Sequence, residues 1–389
     1  MFVIKRRFST FLSERNKVFQ NACRVFAEKE LKPVADLHDK LSKFPNEQIG
    51  KLTELGLMGA CIDQKYGGKG YDLLSFTLAI EELSRCCAST GIIASIHNCL
   101  YANLIQTYGT PDQINEFLIP FTKGKIGVFA LSEHDAGSDV ANLSTTATEC
   151  ENGYKLNGHK AWVTSAIEGK AGVFFAYTDK SKGHNGITAF IIPLDTAGVQ
   201  LGPRNEKLGI RAASTCDICL NDVKVSHSNV IGAIGNGFKI AMEQLQLGRI
   251  GVAAQAIGIG QAAFDLAIKY SYDRKVFGEK LCDKQLVKSK LAKMAIDLES
   301  ARLLLWKAAM LRDSNEDFRK LSSMAKFAAS CCASSNANLC VQILGAKGYM
   351  SGEAERLYRD SRITKIYGGA SDIQMLVIAD LLLKETKSE

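Results

Sequence analysis

A chain of 389 residues with 46% hydrophobic content is long enough to build two or three domains around substantial cores. Its charged residues, 23% of the total, interrupt every apolar run before the ~18 residues a membrane span needs; the nearest approach, from Ile250 to Ile268, is broken by Gln255, Gln261 and Asp265. The net charge of +7 is scattered rather than gathered into a basic stripe with interleaved aromatics, so nucleic acid is not implied and small anionic ligands suit the surface better.

The first ten residues carry Lys5, Arg6 and Arg7 with hydroxyls at Ser9 and Thr10 and no acid before Glu14. Residues 1–13 therefore have the composition of a short mitochondrial presequence, an ordinary basic tail being the alternative. From Glu14 to Leu31, apolar residues at Val18, Phe19, Ala22, Val25, Phe26 and Leu31 predict an amphipathic helix that Lys32-Pro33 should end. Asn46 is placed to cap a helix bearing Ile49, Leu52 and Leu55, and further helices are expected over Ser75 to Cys87 and Gly91 to Tyr108. Residues 14–122 read as a helical domain.

Near Lys123 the pattern changes to short β-rich runs between Gly and Asn turns: IGVFALS, YKLNGHKAWVTS, GVFFAYT, GITAFIIPL and the alternation from Thr215 to Val225. Residues 123–231 are expected to form an antiparallel β-barrel or sandwich. Cys216 and Cys219, the one C-x-x-C, fall on opposite faces of such a strand and share no metal or easy disulfide. The other ten cysteines sit mostly inside helical or strand patterns, which fits a reducing compartment.

After the glycine-rich turn Gly232 to Gly237, long helical segments return over Phe238 to Asp273, Gln285 to Arg312, Phe318 to Leu344 and Asp372 to Lys384. Residues 232–389 read as a helical bundle, giving a multidomain α+β chain ordered helical, β, helical. Its Gly and Ala content predicts close helix packing. No H-E-x-x-H, Walker loop or G-x-S-x-G is present, so no metal or hydrolase signature stands out.

Five stretches nonetheless share an order and spacing: FALSEHDAGSD, AWVTSA, KLGIRAAST, GRIGVAAQAIGIGQAAFDLAIKYSYDRKVFG and QILGAKGYMSGEAERLYRDSRITKIYGGASDIQ. With these the chain resembles the acyl-CoA dehydrogenases, most closely the short-chain, butyryl-CoA type. The resemblance implies FAD, an acyl-CoA substrate, an electron-transfer flavoprotein as acceptor, a homotetramer and a place in the mitochondrial matrix. It implies flavin contacts at Phe129, Leu131, Ser132, Trp162, Val163 and Thr164. Arg274, Phe277, Gln285, Gln342 and Gly345 would hold the adenosine diphosphate end, partly across subunits, Arg being suited to phosphate by its planar fork. Ala370, Ser371 and Asp372 complete the implied cofactor contacts, and Ser138, Gly248, Arg249 and Gly369 the implied substrate contacts.

The family's reaction removes an α-proton from the acyl thioester as hydride leaves the β-carbon, and a carboxylate is the base. Where the family motif has glutamate, this chain reads Ile366-Tyr367-Gly368-Gly369-Ala370; the other position used for that glutamate is Gly248. Both lack a side chain. The S-E-P-G of the family has become Ser132-Glu133-His134-Asp135, its threonine beside the base Ala370, and its Gly-Gly turn Gly345-Ala346. His97 and His134 are candidate replacement bases, with local hydrogen bonding as the plainer role for each. A non-catalytic FAD- and acyl-CoA-binding protein or assembly partner is the rival to a dehydrogenase.

Overall fold

The computed structural model describes residues 12–386. Helix α1 (Glu14–Phe26) is capped by Ser13 and Asn16 reciprocally, and Leu12 is buried, so residues 12 and 13 already belong to the folded body. The remainder of the expected presequence, residues 1–11, lies outside the described residues.

The stop expected at Lys32-Pro33 does not occur. A π turn (Ala27–Leu31) leads straight into α2 (Lys32–Lys40). Pro33 then sits in a first turn, where its missing N–H forfeits little, and the widened turn before it makes room for the ring. Helix α3 (Asn46–Glu54) has Pro45, not Asn46, at the capping place.

Helix α4 (Leu73–Cys86) begins two residues before the expected Ser75 because the Asp72 carboxylate accepts the Ser75 N–H at 2.7 Å. Helix α5 (Ala88–Ile96) passes through a second π turn (His97–Ala102) into α6 (Asn103–Tyr108), and α7 (Pro111–Phe117) and α8 (Ile119–Thr122) close this part.

The middle of the chain forms one eight-stranded sheet. Its strands are β1 (Gly127–Ala130), β2 (Thr146–Cys150), β3 (Gly153–Thr164), β4 (Ala171–Tyr177), β5 (Ile187–Pro193), β6 (Val199–Leu201), β7 (Thr215–Ser226) and β8 (Val230–Ile231). They lie in the order β6-β7-β3-β2-β4-β5-β8, with β1 beside β4. Most pairs are antiparallel as expected, but β1 and β2 each pair with β4 in parallel, so the sheet is mixed. Along β7, Cys216 is buried while Cys219 is half-buried on the other face, and all twelve cysteines are free.

Helix α9 (Gly237–Asp273) is apolar all round and forms the centre of the C-terminal bundle. It is long and apolar enough to cross a membrane by composition, yet 83% of its most apolar window is buried inside the protein. Close packing follows from its small residues: a Cβ on Gly258 would lie 2.5 Å from the Glu81 carbonyl oxygen of α4. A two-stranded hairpin, β9 (Lys275–Val276) and β10 (Glu279–Lys280), leads to α10 (Gln285–Asp313). Helices α11 (Arg319–Leu344), α12 (Ala346–Tyr349), α13 (Glu353–Ile363) and α14 (Ser371–Thr386) complete the bundle. One buried ion pair, Arg302 to Glu81 at 2.9 Å, ties α10 to α4.

Candidate active site

Strand β1 delivers Phe129 and then the loop Leu131-Ser132-Glu133. Glu133 is buried and fully partnered: the Ser144 N–H and hydroxyl reach Oε2 at 2.6 Å each, and the Thr145 hydroxyl and the Lys160 ammonium reach Oε1 at 2.5 and 2.7 Å. Burial opposes its ionisation, but Lys160 and the two hydroxyls hold the carboxyl down to about 2. Lys160 also donates to the Leu131 carbonyl at 3.2 Å, and the Ala161 N–H to the Ser132 carbonyl at 2.9 Å. The loop is thereby stitched to β3.

That stitching has a geometric consequence. The β3–β7 register slips between Lys160 and Val163, and Trp162 takes φ +57°, a conformation bulky residues rarely adopt. Its N–H donates to Asp217 Oδ1 at 3.1 Å, Val163 turns inward, Thr164 is half-buried, and the indole is left 51% exposed. An exposed tryptophan held in a strained bulge is what a flat ring system laid against this loop would explain. Ser138 is exposed in the following loop.

The second cluster lies in the C-terminal bundle. Arg249, Val252 and Gln255 share one face of α9, and this face meets the turn 367–369. Gln255 accepts from the Tyr367 hydroxyl, and a Cβ built on Gly368 would meet only Val252 Cγ2, at 3.4 Å. Lys326 of α11 donates to the Gly369 carbonyl at 2.8 Å, and Gln374 Nε2 donates to the Gly368 and Gly369 carbonyls at 3.3 and 3.0 Å. These bonds take the turn's carbonyls; none uses the Gly368 N–H. Ala370 and Ser371 lead into α14, where the Ser371 N–H donates to Lys365 at 2.9 Å, and Asp372 is exposed.

Two cations are buried beside this turn. Arg249 Nη1 donates to Ser323 Oγ at 3.1 Å, but its Nε has no partner among the described residues. Burial lowers the guanidinium below its ordinary value. Lys326 is fully buried, and burial, then Arg249, brings it down to about 8. No carboxylate pairs with either group in the hydrogen bonds and ion pairs of the described residues. Gly368 has φ +63°, open to glycine but strained for a side chain by about 1–2 kcal/mol. Space exists there without a side chain to fill it. At Gly248 a Cβ would stand 2.8 Å from Leu100 Cδ2, the end of a side chain on the π turn after α5 that would have to shift.

Of the candidate histidines, His97 is buried, with Nε2 3.2 Å from the Phe121 carbonyl and Nδ1 accepting the Gly127 N–H at 3.1 Å. Burial drives it down to about 4, so it is a neutral strut between α5 and β1. His134 points to the surface and meets Asp217 at 2.8 Å.

The residues of the implied adenosine site are not gathered into a cavity of this chain. Arg274 ends α9, Phe277 is 96% exposed at the tip of the β9–β10 hairpin, and Gln285, Gln342 and Gly345 are exposed on α10 and at the end of α11. Positive φ at Phe277 and Gly278 makes the tight turn that holds the ring out. Two concavities, of about 650 and 640 Å³, lie elsewhere, around Thr53 and Lys170 and around Gln113 and Asn229. Glu133, Lys160, Asp217, Lys326 and Leu100 were not singled out by the sequence reading. Lys160 alone left a trace, as a charge at an inward position of an alternating strand.

Comparison with known proteins gives three successive family matches: acyl-CoA dehydrogenase N-terminal domain over residues 13–125, middle domain over 128–223 and C-terminal domain over 235–383. The chain is 48% identical over 382 residues to the mitochondrial short-chain specific acyl-CoA dehydrogenase of Rattus norvegicus, covering 98% of this chain and 93% of that protein. It is 40% identical over 378 residues to the caffeyl-CoA reductase-Etf complex subunit CarC of Acetobacterium woodii, covering 96% and 100%. The solved butyryl-CoA dehydrogenase of Megasphaera elsdenii superposes with a TM-score of 0.94 at 40% identity, covering 96% and 99%.

Proposed function

The chain belongs to the acyl-CoA dehydrogenase family, an FAD-dependent oxidoreductase family acting on CH–CH bonds, and from that premise we propose that it holds FAD and a short or medium acyl-CoA but dehydrogenates it slowly. The observation that carries this reading is the turn at Gly368, which has room for a side chain and none present, while the alternative position, Gly248, likewise offers no side chain and packs against Leu100.

The residues fit the cofactor. The loop at Leu131 and Ser132 is locked by the Glu133–Lys160 pair, and Trp162 stands ready beside it with an exposed face. When bound, FAD supplies the hydride acceptor. The chain's own contribution is to orient the thioester: the Gly368 N–H, without an acceptor among the described residues, can donate to the substrate carbonyl and make the α-proton more acidic. Nothing in the turn can then accept that proton.

Exposure of Phe277, Leu286, Tyr349 and Met350 supports a homotetramer in which neighbouring chains cover these side chains and complete the adenosine sites around Arg274 and Gln342. The name of the Acetobacterium relative supports an electron-transfer flavoprotein as partner if turnover occurs. A mitochondrial matrix location is supported by Lys5, Arg6 and Arg7 and by the rat relative, although bacterial relatives are also similar. The test is binding: the purified tetramer should carry about one FAD per chain, and butyryl-CoA should shift its flavin spectrum. A colourless protein that takes up no FAD would overturn the reading.

A further inference from the structure

The sheet surface next to Trp162 carries a second constellation. In the β3–β7 register His159 lies opposite Cys219, so Asp217, two residues before Cys219, is a diagonal neighbour of His159 on the same face. His134 hangs over both from the loop after β1. Its Nε2 is 2.8 Å from Asp217 Oδ2, His159 Nε2 is 3.9 Å from the same oxygen, and one ligating atom from each of the three lies within 4.8 Å of the others.

Three features distinguish this group from a chance surface contact. Asp217 is oriented from behind, because its other oxygen accepts the Trp162 N–H at 3.1 Å, the kind of outer contact that fixes a metal-ligating carboxylate. The two imidazoles are about half exposed, leaving room for water in the remaining coordination positions. Ligands at about 2.0–2.2 Å from a dication stand roughly 3–3.5 Å apart, within the spread observed here. Two imidazoles with one carboxylate suit zinc or nickel, whereas calcium and magnesium require more oxygen.

We propose that His134, His159 and Asp217 bind one divalent transition-metal ion of the zinc or nickel kind on the rim of the flavin loop. The ion takes Asp217 Oδ2 while Oδ1 keeps its bond to the Trp162 backbone, so occupancy stiffens the strained bulge that presents the indole. The His134 ring packs edge-on against that indole at 5.2 Å, which makes Trp162 a reporter of the site.

The experiment titrates the full-length, FAD-loaded protein, freed of metal by EDTA, with nickel chloride and zinc chloride in a calorimeter. One ion per chain with micromolar affinity is expected, weakened roughly tenfold or more by His134→Asn and by His159→Asn. His159→Asn should leave flavin content unchanged. The protein has two tryptophans, so in a Trp306→Phe background nickel should quench the emission of Trp162. Absence of binding, or binding that both histidine variants retain, as would follow if cysteines held the ion, overturns the proposal.

Discussion

The two buried charge clusters of this protein have opposite balance. Beneath the flavin loop, Lys160 and Glu133 are both buried, and every oxygen of the carboxylate is matched by donors. Beneath the 367–369 turn, Arg249 and Lys326 are just as deep, but they face one serine hydroxyl, one carbonyl and no acid. Burying a charge is tolerable when it is paired and costly when it is not. The proposed cofactor side thus has a complete electrostatic structure, and the proposed substrate side carries buried cations beside Gly368 without an anion among the described residues.

The largest effect should come from breaking the complete cluster. Glu133→Gln leaves Lys160 buried and unpaired, with an expected loss of about 3–5 kcal/mol in urea unfolding and release of the flavin. In the wild type, the Glu133 carboxylate's contribution is full above the usual carboxylate value and disappears as pH falls through about 2, because the folded carboxyl titrates below the unfolded one, while burial brings Lys160 down to about 8. If Glu133→Gln cost no more than an exposed substitution, the comparison would lose its first half.

Arg274→Ala comes next. It should weaken FAD retention by about 1.5–3 kcal/mol while leaving the unfolding midpoint of the apoprotein unchanged, since Arg274 is exposed at a helix end. Equal FAD affinity in the variant would remove Arg274 from the site.

The incomplete cluster can be sharpened by supplying what it lacks. Formate carries the charge that Arg249 and Lys326 lack, so it should accelerate flavin reduction by butyryl-CoA severalfold, whereas chloride at equal ionic strength should not. Gly368→Glu with Ala370→Thr should give at least a tenfold gain, even after backbone strain of about 1–2 kcal/mol at a positive φ.

The smallest effect concerns Lys326. Its folded value near 8 lies below the ordinary 10.5, so the unfolded chain binds more protons between them, and stability should rise as pH climbs through that window. Relative to wild type, Lys326→Met should lack that rise in thermal melts between pH 7.5 and 10. An identical pH profile would mean that Lys326 is not held neutral-leaning by its surroundings.

Much of the fold was legible because it rests on local pattern. The long helices announced themselves by spacing, and β3, β4, β5 and β7 by runs of β-formers between turns. Strand β2 was missed because its residues, Thr146–Cys150, are polar and mostly exposed, and β6 because three residues carry no pattern. The helix through Pro33 was misread because a π turn is set by packing and leaves no composition of its own. The lack of a side chain at the two positions where the resemblance expects the base was readable as two glycines, yet the sequence could not tell them apart. Only the fold shows that a Cβ at Gly368 would meet just Val252, whereas one at Gly248 would press on Leu100, a residue far away in the chain. The pairing of Glu133 with Lys160 and the crowding of Arg249 with Lys326 are likewise contacts between distant segments, invisible to local periodicity.

The most direct test of the central claim is the anaerobic rate at which butyryl-CoA bleaches the flavin of the unmodified protein in a stopped-flow instrument. A positioned general base contributes roughly 10²- to 10⁴-fold, so the proposed lack of one predicts prompt spectral perturbation on mixing followed by reduction slower by that factor than in the short-chain acyl-CoA dehydrogenases this chain is similar to. Reduction as fast as in those relatives would contradict the account, because it would require a base other than Gly368, Gly248 and the fully engaged His97, with His134 the first residue to test.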